Sequence, residues 1–315
     1  MGDTGIGRKS ILVVGGGSLG GMLAHDLSRT ANVVVCDTAR SLVRQLQCQG
    51  LKVSADGQTR TVRVTAVSDV SALRGRFFDG IVFAVKCMDF ERAIAATARH
   101  CRTPRVICWQ NGDPSLRLVQ KCFPAADIVR AVTTGACRAD GRGHVRIFLR
   151  GVVYWGVAQG SRIAPSWWAK QLPHDVYAER RVSDWRSAVW AKLIFNAVMN
   201  PLPIIAGTGY DVLRSNDGLY KDVLAAIAEG KRVARAHTIT LAFDPARIVR
   251  AIRCGVYGRM QHRGSMYDDF MAGKPLELEA ITGILLARAK AAGVAMPVLG
   301  GIYAAAQERY ARAGQ

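Results

Sequence analysis

The chain lacks the cysteine patterns of a metal or disulfide protein. Its eight cysteines, Cys36, Cys48, Cys87, Cys101, Cys108, Cys122, Cys137 and Cys254, form no C-x-x-C pair. No Cys/His cluster has zinc-ligand spacing, so no metal site is expected. A chain of 315 residues needs no disulfides to hold its core, and reduced thiols in a cytoplasmic protein are expected. A long uninterrupted apolar run is missing as well. The run 11–14 stops at glycine, and the ten residues up to Ser10 carry Asp3 and glycines, unlike a secretory leader. The longest apolar stretch, 188–206, contains Lys192, Pro201 and Pro203, whereas a membrane span needs about 20 predominantly apolar residues. Basic runs are also absent, despite 43 Lys and Arg against 24 Asp and Glu and a net charge of +19. The basic residues stand singly between apolar ones, which argues against nucleic acid and for an arginine-rich solvated surface. Internal repeats and low-complexity tracts are lacking too.

What is present is ordinary globular material, half of it apolar. The length suggests two domains at about 100–200 residues each. In the first half, short apolar runs at 11–14, 33–36, 81–85, 106–109 and 128–132 alternate with helical segments at 18–28, 39–49, 88–100 and 114–121. The last run is apolar apart from Arg130. Continuous apolar runs of this length predict buried parallel strands, and the β-α-β series predicts a doubly wound α/β sheet. The segment 61–67 alternates and predicts one half-exposed strand. The runs 144–149 and 152–156 predict a hairpin. After about residue 175 helical patterns take over, at 183–199, 218–235, 244–256, 265–272 and 276–292. The expected division is a dinucleotide-binding domain over 1–175 and a helical domain over 176–315, joined in the loop 171–184.

The run 11–14 leads into Gly15-Gly16-Gly17-Ser18-Leu19-Gly20, and a helix follows. In this G-x-G-x-x-G pattern the first glycine makes the tight turn, and the second lets backbone approach a pyrophosphate. The third lets helix pack on strand. The helix N-terminus then offers free N–H groups to the phosphates. Asp37 ends the second strand, where an acid accepts hydrogen bonds from the adenosine ribose and favours NAD over NADP. An N-cap for the next helix is the competing reading of Asp37. Arg40 lies close enough to meet a 2′-phosphate.

The stretch 188–206 holds three strongly polar residues, Lys192, Asn196 and Asn200, spaced by four. On a helix they form one stripe in an otherwise apolar surface. A buried ammonium and two buried amides are costly unless satisfied. Two readings compete: a column of interhelical hydrogen bonds, or the floor of a polar ligand site. Pro201 ends the helix and turns Asn200 out of helical geometry.

In order and spacing the chain resembles the ketopantoate reductases (2-dehydropantoate 2-reductases) over nearly its whole length. The resemblance rests on the glycine loop, Val85-Lys86, Gln110-Asn111-Gly112 and Val132-Thr133-Thr134. It continues through Lys192-Leu193, Asn196, Asn200-Pro201-Leu202, Ser265-Met266-Tyr267-Asp268-Asp269, and the block from Gly273 to Glu279. It implies a Rossmann domain plus an all-helical domain of the 6-phosphogluconate dehydrogenase C-terminal type. It implies reduction of a 2-keto acid, foremost ketopantoate in pantothenate biosynthesis, by NADPH or, given Asp37, NADH. By resemblance Lys192 is the general acid, and Asn111, Asn196, Asn200 and Ser265 hold the substrate. Glu277 reaches the ligands and Lys192. Lys86 and Asn111 flank the nicotinamide ribose, and Ala136 offers its backbone to the cofactor. The implied partner is a small 2-keto acid, with a homodimer as the candidate assembly.

Some of these residues have plainer readings. Ser265 with Asp268 forms an S-x-x-D capping pattern. Pro275 suits a first helical residue, which puts Glu277 in the first turn. Four departures from the family pattern stand out. Asp37-Thr38 replaces an expected arginine, and Asp89 lies where some members carry glutamine. Gly135 stands where histidine is common. Tyr210 falls where well-known members have a substrate-side asparagine. Asp37 and Tyr210 point toward an alternative, an NAD-dependent dehydrogenase of D-2-hydroxy acids such as mandelate. A non-catalytic dinucleotide-binding redox sensor is the alternative from another class.

Overall fold

The computed structural model describes residues 7–113, 115–162, 164–173, 177–257 and 263–313. Residues 1–6, which belong to the leader reading, and Pro114, read as a helix start, lie outside them. The chain divides into two compact units, one of Met1–Gln110 with Pro114–Trp185, the other of Asn111–Asp113 with Arg186–Gln315.

The first unit runs β1 (Lys9–Val14), α1 (Ser18–Leu27), β2 (Ala31–Cys36), α2 (Arg40–Gln49), β3 (Leu51–Ala55), β4 (Gln58–Val62) and β5 (Thr65–Val67). It continues β6 (Gly80–Phe83), α3 (Cys87–His100), β7 (Arg105–Cys108), α4 (Arg117–Cys122) and β8 (Asp127–Thr133). It ends β9 (Ala136–Ala139), β10 (His144–Leu149), β11 (Val152–Gln159), α5 (Ala164–Gln171) and β12 (Ala178–Arg181). An eight-stranded sheet is ordered β12-β11-β8-β7-β6-β1-β2-β5. Its pairs are parallel except β11 with β8. In β1, Ile11 and Val13 feed one apolar core while Leu12 and Val14 feed another. Burial on both faces explains why these strands read as continuous apolar runs. Strand order reverses at β1, which lies between β2 and β6, and open sheets of this kind bind ligands at that crevice.

The sequence expectations need correction in three places. The single strand at 61–67 is two: β4 pairs with β3, and β5 joins β2 in the main sheet. The expected hairpin of 144–149 with 152–156 does not form. β10 pairs with β3 and β9, whereas β11 pairs with β8 and β12. The joint at Arg150-Gly151 is pulled elsewhere: Arg150 Nη1 lies 2.6 Å from buried Asp26 Oδ2 on α1. Gly151, at φ +67, packs so tightly that a Cβ would stand 2.4 Å from Gly135 N. Asp26 also accepts from the Tyr177 hydroxyl and lies 2.8 Å from His25 Nδ1, so this joint is anchored to a buried polar cluster. Third, strands do not cease at 175, because β12 extends the sheet edge.

The second unit holds α6 (Trp185–Met199), whose first residue falls in the first unit. It then runs α7 (Leu202–Ala206), α8 (Val212–Ser215), α9 (Asp217–Ala236), α10 (Pro245–Arg253) and α11 (Ser265–Met271). A π-helical turn (Glu279–Gly283), α12 (Ile284–Ala291) and α13 (Pro297–Ala313) complete it. Its core gathers around α6 and α9. Gly230 on α9 meets α6 so closely that a Cβ would stand 2.8 Å from Ile194. Among the described residues, the segment Trp185–Ala206 is the one helical stretch apolar and long enough to cross a membrane, and it is buried here.

Glu229 on α9 is 4% exposed. Its Oε1 accepts from Val298 N at 3.1 Å and its Oε2 from Leu299 N at 3.0 Å. These are first-turn amides of α13, which otherwise lack acceptors, and a carboxylate there also meets the positive end of the helix dipole. Glu229→Gln turns one acceptor into a donor facing an N–H. The expected loss is about 2 kcal/mol, read as a lower urea midpoint; an unchanged midpoint would contradict this cap.

None of the eight cysteines is in a disulfide, and only Cys48 and Cys254 are exposed. Burial pushes the Cys36 and Cys108 thiols up to about 12.

Candidate active site

The glycine loop, residues 15–20, joins β1 to α1. Gly15 holds φ +95, and a Cβ on it would lie 2.9 Å from the Ala84 carbonyl. A Cβ on Gly20 would fall 1.7 Å from Gly15 O. Packing dictates these two glycines. It does not dictate Gly17, whose Cβ would meet nothing within 4 Å. Gly17 is the N-cap of α1 and gives the first-turn amides no side-chain acceptor. Open space beside amides at a positive helix end fits the pyrophosphate of a dinucleotide. Leu19 packs into the core beneath. The Ser18 hydroxyl accepts from Ala139 N at 2.8 Å. That bond sets β9, which begins at Ala136, beside the loop.

Asp37 follows β2. Its Oδ2 accepts from Gly16 N at 2.7 Å and its Oδ1 from Ala39 N at 2.8 Å. The N-cap of α2 is Ala39, so the capping reading of Asp37 fails. The carboxylate instead braces the glycine loop, and each oxygen keeps a lone pair for a further donor. Arg40 is the first residue of α2 and is exposed. Asp89, in the first turn of α3, is matched by Arg92 on the same helix at 2.6 Å.

Lys86 is the N-cap of α3, the loop residue following β6. A cation at a helix N-terminus opposes the dipole, so helix stability does not account for it. Asn111 and Gly112 follow β7, and Gly112 turns the chain at φ +74. Thr133 and Thr134 serve turns: Thr133 Oγ1 accepts from Gly135 N at 2.9 Å and Thr134 Oγ1 from Val152 N at 2.9 Å. A Cβ on Gly135 would stand 2.4 Å from Arg150 O, so this backbone has no room for a histidine.

In the helical unit, α6 carries the polar stripe as predicted. Lys192 is half-buried, with Nζ 5.2 Å from the centre of the Phe195 ring. That contact holds an ammonium on an apolar helix at modest cost. Asn196 is 3% exposed, and its Nδ2 has no hydrogen-bond partner among the described residues. The interhelical-column reading leaves that amide unexplained. Asn200, 7% exposed, lies just past the end of α6, its N–H donating to Asn196 O at 2.9 Å.

The two capping expectations in this unit are overturned. Ser265 is the first residue of α11 and exposed, and the N-cap is Gly264 at φ +80. The reason is Tyr210: a Cβ on Gly264 would stand 2.5 Å from its hydroxyl. Burial holds the Tyr210 phenol well above its ordinary range, with Asp268 adding to the effect. Pro275 does not begin a helix either, and Glu277 precedes the first helical residue. The π-turn then opens the helix, a feature frequent at functional sites. The Thr282 hydroxyl in this turn donates to Ala197 O at 2.9 Å, tying the segment after Glu277 to the stripe helix.

Sequence reasoning gives no role to Gln110, which is 6% exposed with neither side-chain amide atom partnered among the described residues. Arg130, 2% exposed, was noted only as an interruption of an apolar strand. A lone arginine in such a strand was the available signal.

A Rossmann sheet with an open glycine loop, joined in one chain to a helical unit bearing a lysine–asparagine stripe, is the build of an NAD(P)-dependent oxidoreductase. A family model described as Ketopantoate reductase PanE/ApbA matches residues 11–160. A second, Ketopantoate reductase PanE/ApbA C terminal, matches residues 184–310. The chain belongs to the ketopantoate reductase family. It is 26% identical over 299 residues to a 2-dehydropantoate 2-reductase of Halobacterium salinarum, covering 92% of this chain and 95% of that protein. It is 29% identical over 228 residues to the Mycobacterium tuberculosis protein of that name, covering 70% of this chain and 72% of that one. In fold it is similar to a D-mandelate dehydrogenase solved with NADH and anilino(oxo)acetate, with TM-score 0.85 and 21% identity. That match covers 97% of this chain and 100% of the other. It is also similar to a PanE/ApbA family ketopantoate reductase from Ralstonia eutropha, with TM-score 0.81, 24% identity and the same two coverages.

Proposed function

We propose that this enzyme reduces a 2-keto acid, foremost 2-dehydropantoate, using NADH. The observation that carries the reading is the α6 stripe: a half-buried Lys192 ammonium in register with the buried, unpartnered Asn196 amide. Such a pair fits an oxygen that gains negative charge as a carbonyl is reduced. A bound reduced nicotinamide supplies the hydride for the carbonyl carbon. Lys192 gives its proton to the carbonyl oxygen, completing the alcohol. Asn196, Asn200 and Ser265 orient the substrate's polar groups, and Glu277 acts on Lys192 and the ligands. Residues 15–20, with Ala136, hold the pyrophosphate end, and Lys86 and Asn111 the nicotinamide ribose. Asp37 supports NADH over NADPH, because its charge meets ribose hydroxyls favourably and a 2′-phosphate unfavourably. Arg40, exposed past Asp37, is left at the rim of that site. The reaction belongs in the cytoplasm.

A second reading takes an aromatic 2-keto acid, the ketone of mandelate, as substrate. Tyr210 favours it, because a buried phenol beside the backbone just before Ser265 replaces a polar amide side chain. The test is a panel of 2-keto acids, including both of these, assayed with NADH and NADPH. Turnover of 2-dehydropantoate with NADH is expected. Its absence with either cofactor overturns the leading reading, and preference for the aromatic acid establishes the second.

A further inference from the structure

Arg130 sits in the middle of β8, between the apolar side chains of Ile128 and Val132 on its own face of the strand. It is among the largest fully buried side chains in the chain. Placing a guanidinium there is costly, so its contacts are informative. Nη1 donates to Cys108 O at 2.8 Å and to Ala131 O at 3.2 Å. Nη2 donates to Gln110 O at 2.8 Å. Register explains the choice of acceptors. The β7–β8 ladder ends at Cys108 opposite Arg130, so past that point β8 keeps β11 on one side and has no β7 partner on the other. In an extended strand the carbonyls of residues i and i+2 point the same way. The planar fork spans two of them, at 108 and 110, and extends the sheet edge by one side chain. Burial keeps the neighbouring Cys108 thiol neutral, so it offers Arg130 no anion. The fork grips carbonyl dipoles at 108, 110 and 131.

The next residue is Asn111, followed by the Gly112 turn. We infer that Arg130 is a positioning residue: it splints the end of β7 so that Gln110 and Asn111 leave the sheet edge in one fixed direction. The inference rests on the proposed reading that Asn111 contacts the nicotinamide ribose, and it adds a residue that touches no ligand.

The test uses full-length Arg130→Lys, which keeps the charge and loses the fork, and Arg130→Met, which loses both. The first readout is independent of turnover. Hydrogen exchange of the peptide spanning 109–113 in unliganded protein is expected to speed up in both variants, with α3 and β1 unchanged. The second readout is kinetic. On the wild-type background Arg130→Lys is expected to lower kcat by about 10- to 100-fold, the cost of roughly 1 Å of misplacement. On an Asn111→Ala background the same substitution should cost almost nothing more, because the splint acts through that residue. If Arg130→Met does not fold, Arg130→Lys carries the test alone. Unchanged exchange at 109–113, or additive effects with Asn111→Ala, overturns the inference. Wild-type protein inactive on every keto acid overturns the reaction assignment instead, and leaves the exchange result to decide the role of Arg130.

Discussion

Lys192→Ala is expected to lower kcat by about 100-fold or more, the lower end of what a positioned general acid contributes. Dinucleotide affinity should stay almost unchanged, because the role proposed for Lys192 is at the substrate's carbonyl oxygen and not at the dinucleotide. Lys192→Arg is the sharper control. A guanidinium keeps the charge but does not give up its proton near neutral pH, so little of the lost rate should return. Steady-state kinetics with a fluorescence titration of NADH separates the two effects. A loss of less than about tenfold would remove Lys192 from the role, since it falls below the range for acid catalysis. A protein that only sensed dinucleotide redox state would be indifferent to either substitution.

The second large effect concerns Asp37. Wild-type protein is expected to prefer NADH, and Asp37→Ala to lower the NADH-to-NADPH ratio of kcat/KM by about 100-fold. That is the worth of one or two hydrogen bonds to a charged group. Part of the loss will fall on both cofactors alike, because the carboxylate also accepts from Gly16 N and Ala39 N. The ratio cancels that shared part, which is why it is the quantity to measure. Asp37→Asn keeps an acceptor for one of these amides and removes the charge, so it should fall between wild type and alanine. A wild-type preference for NADPH would show that Asp37 braces the loop and does nothing more.

The main sheet was legible because burial on both faces leaves a simple mark, a short continuous apolar run. β1, β2, β6, β7 and β8 all carry it. The second sheet, ordered β4-β3-β10-β9, does not. Its strands are short and half-polar, and β3 finds its parallel partner β10 about ninety residues away, with Lys52 opposite His144. No local pattern encodes such a pairing. The false hairpin at 144–156 had the right local chemistry, two strands flanking Arg150-Gly151. It lost to a long-range force, the pull of buried Asp26 on Arg150.

The site divides in the same way. The glycine loop and the Lys192 stripe were legible because each is a spacing on one element. The places of Ser265 and Glu277 in their helices escape the sequence, because Tyr210, remote in the chain, and a π-turn, which has no residue signature, decide those helix starts. Arg130 escaped for a related reason. Its meaning lies in where the neighbouring strand's ladder ends, which only the register reveals.

The cysteine pattern has a practical consequence. Maleimide chemistry selects accessible thiolates, and the buried Cys36 and Cys108 are poor targets on both counts. Cys48 and Cys254, the two exposed thiols, fall one in each unit. The native chain thus comes with a matched pair of attachment points. A dye on each would give the two units separate fluorescent reporters, once the half-buried Cys87, Cys122 and Cys137 are replaced.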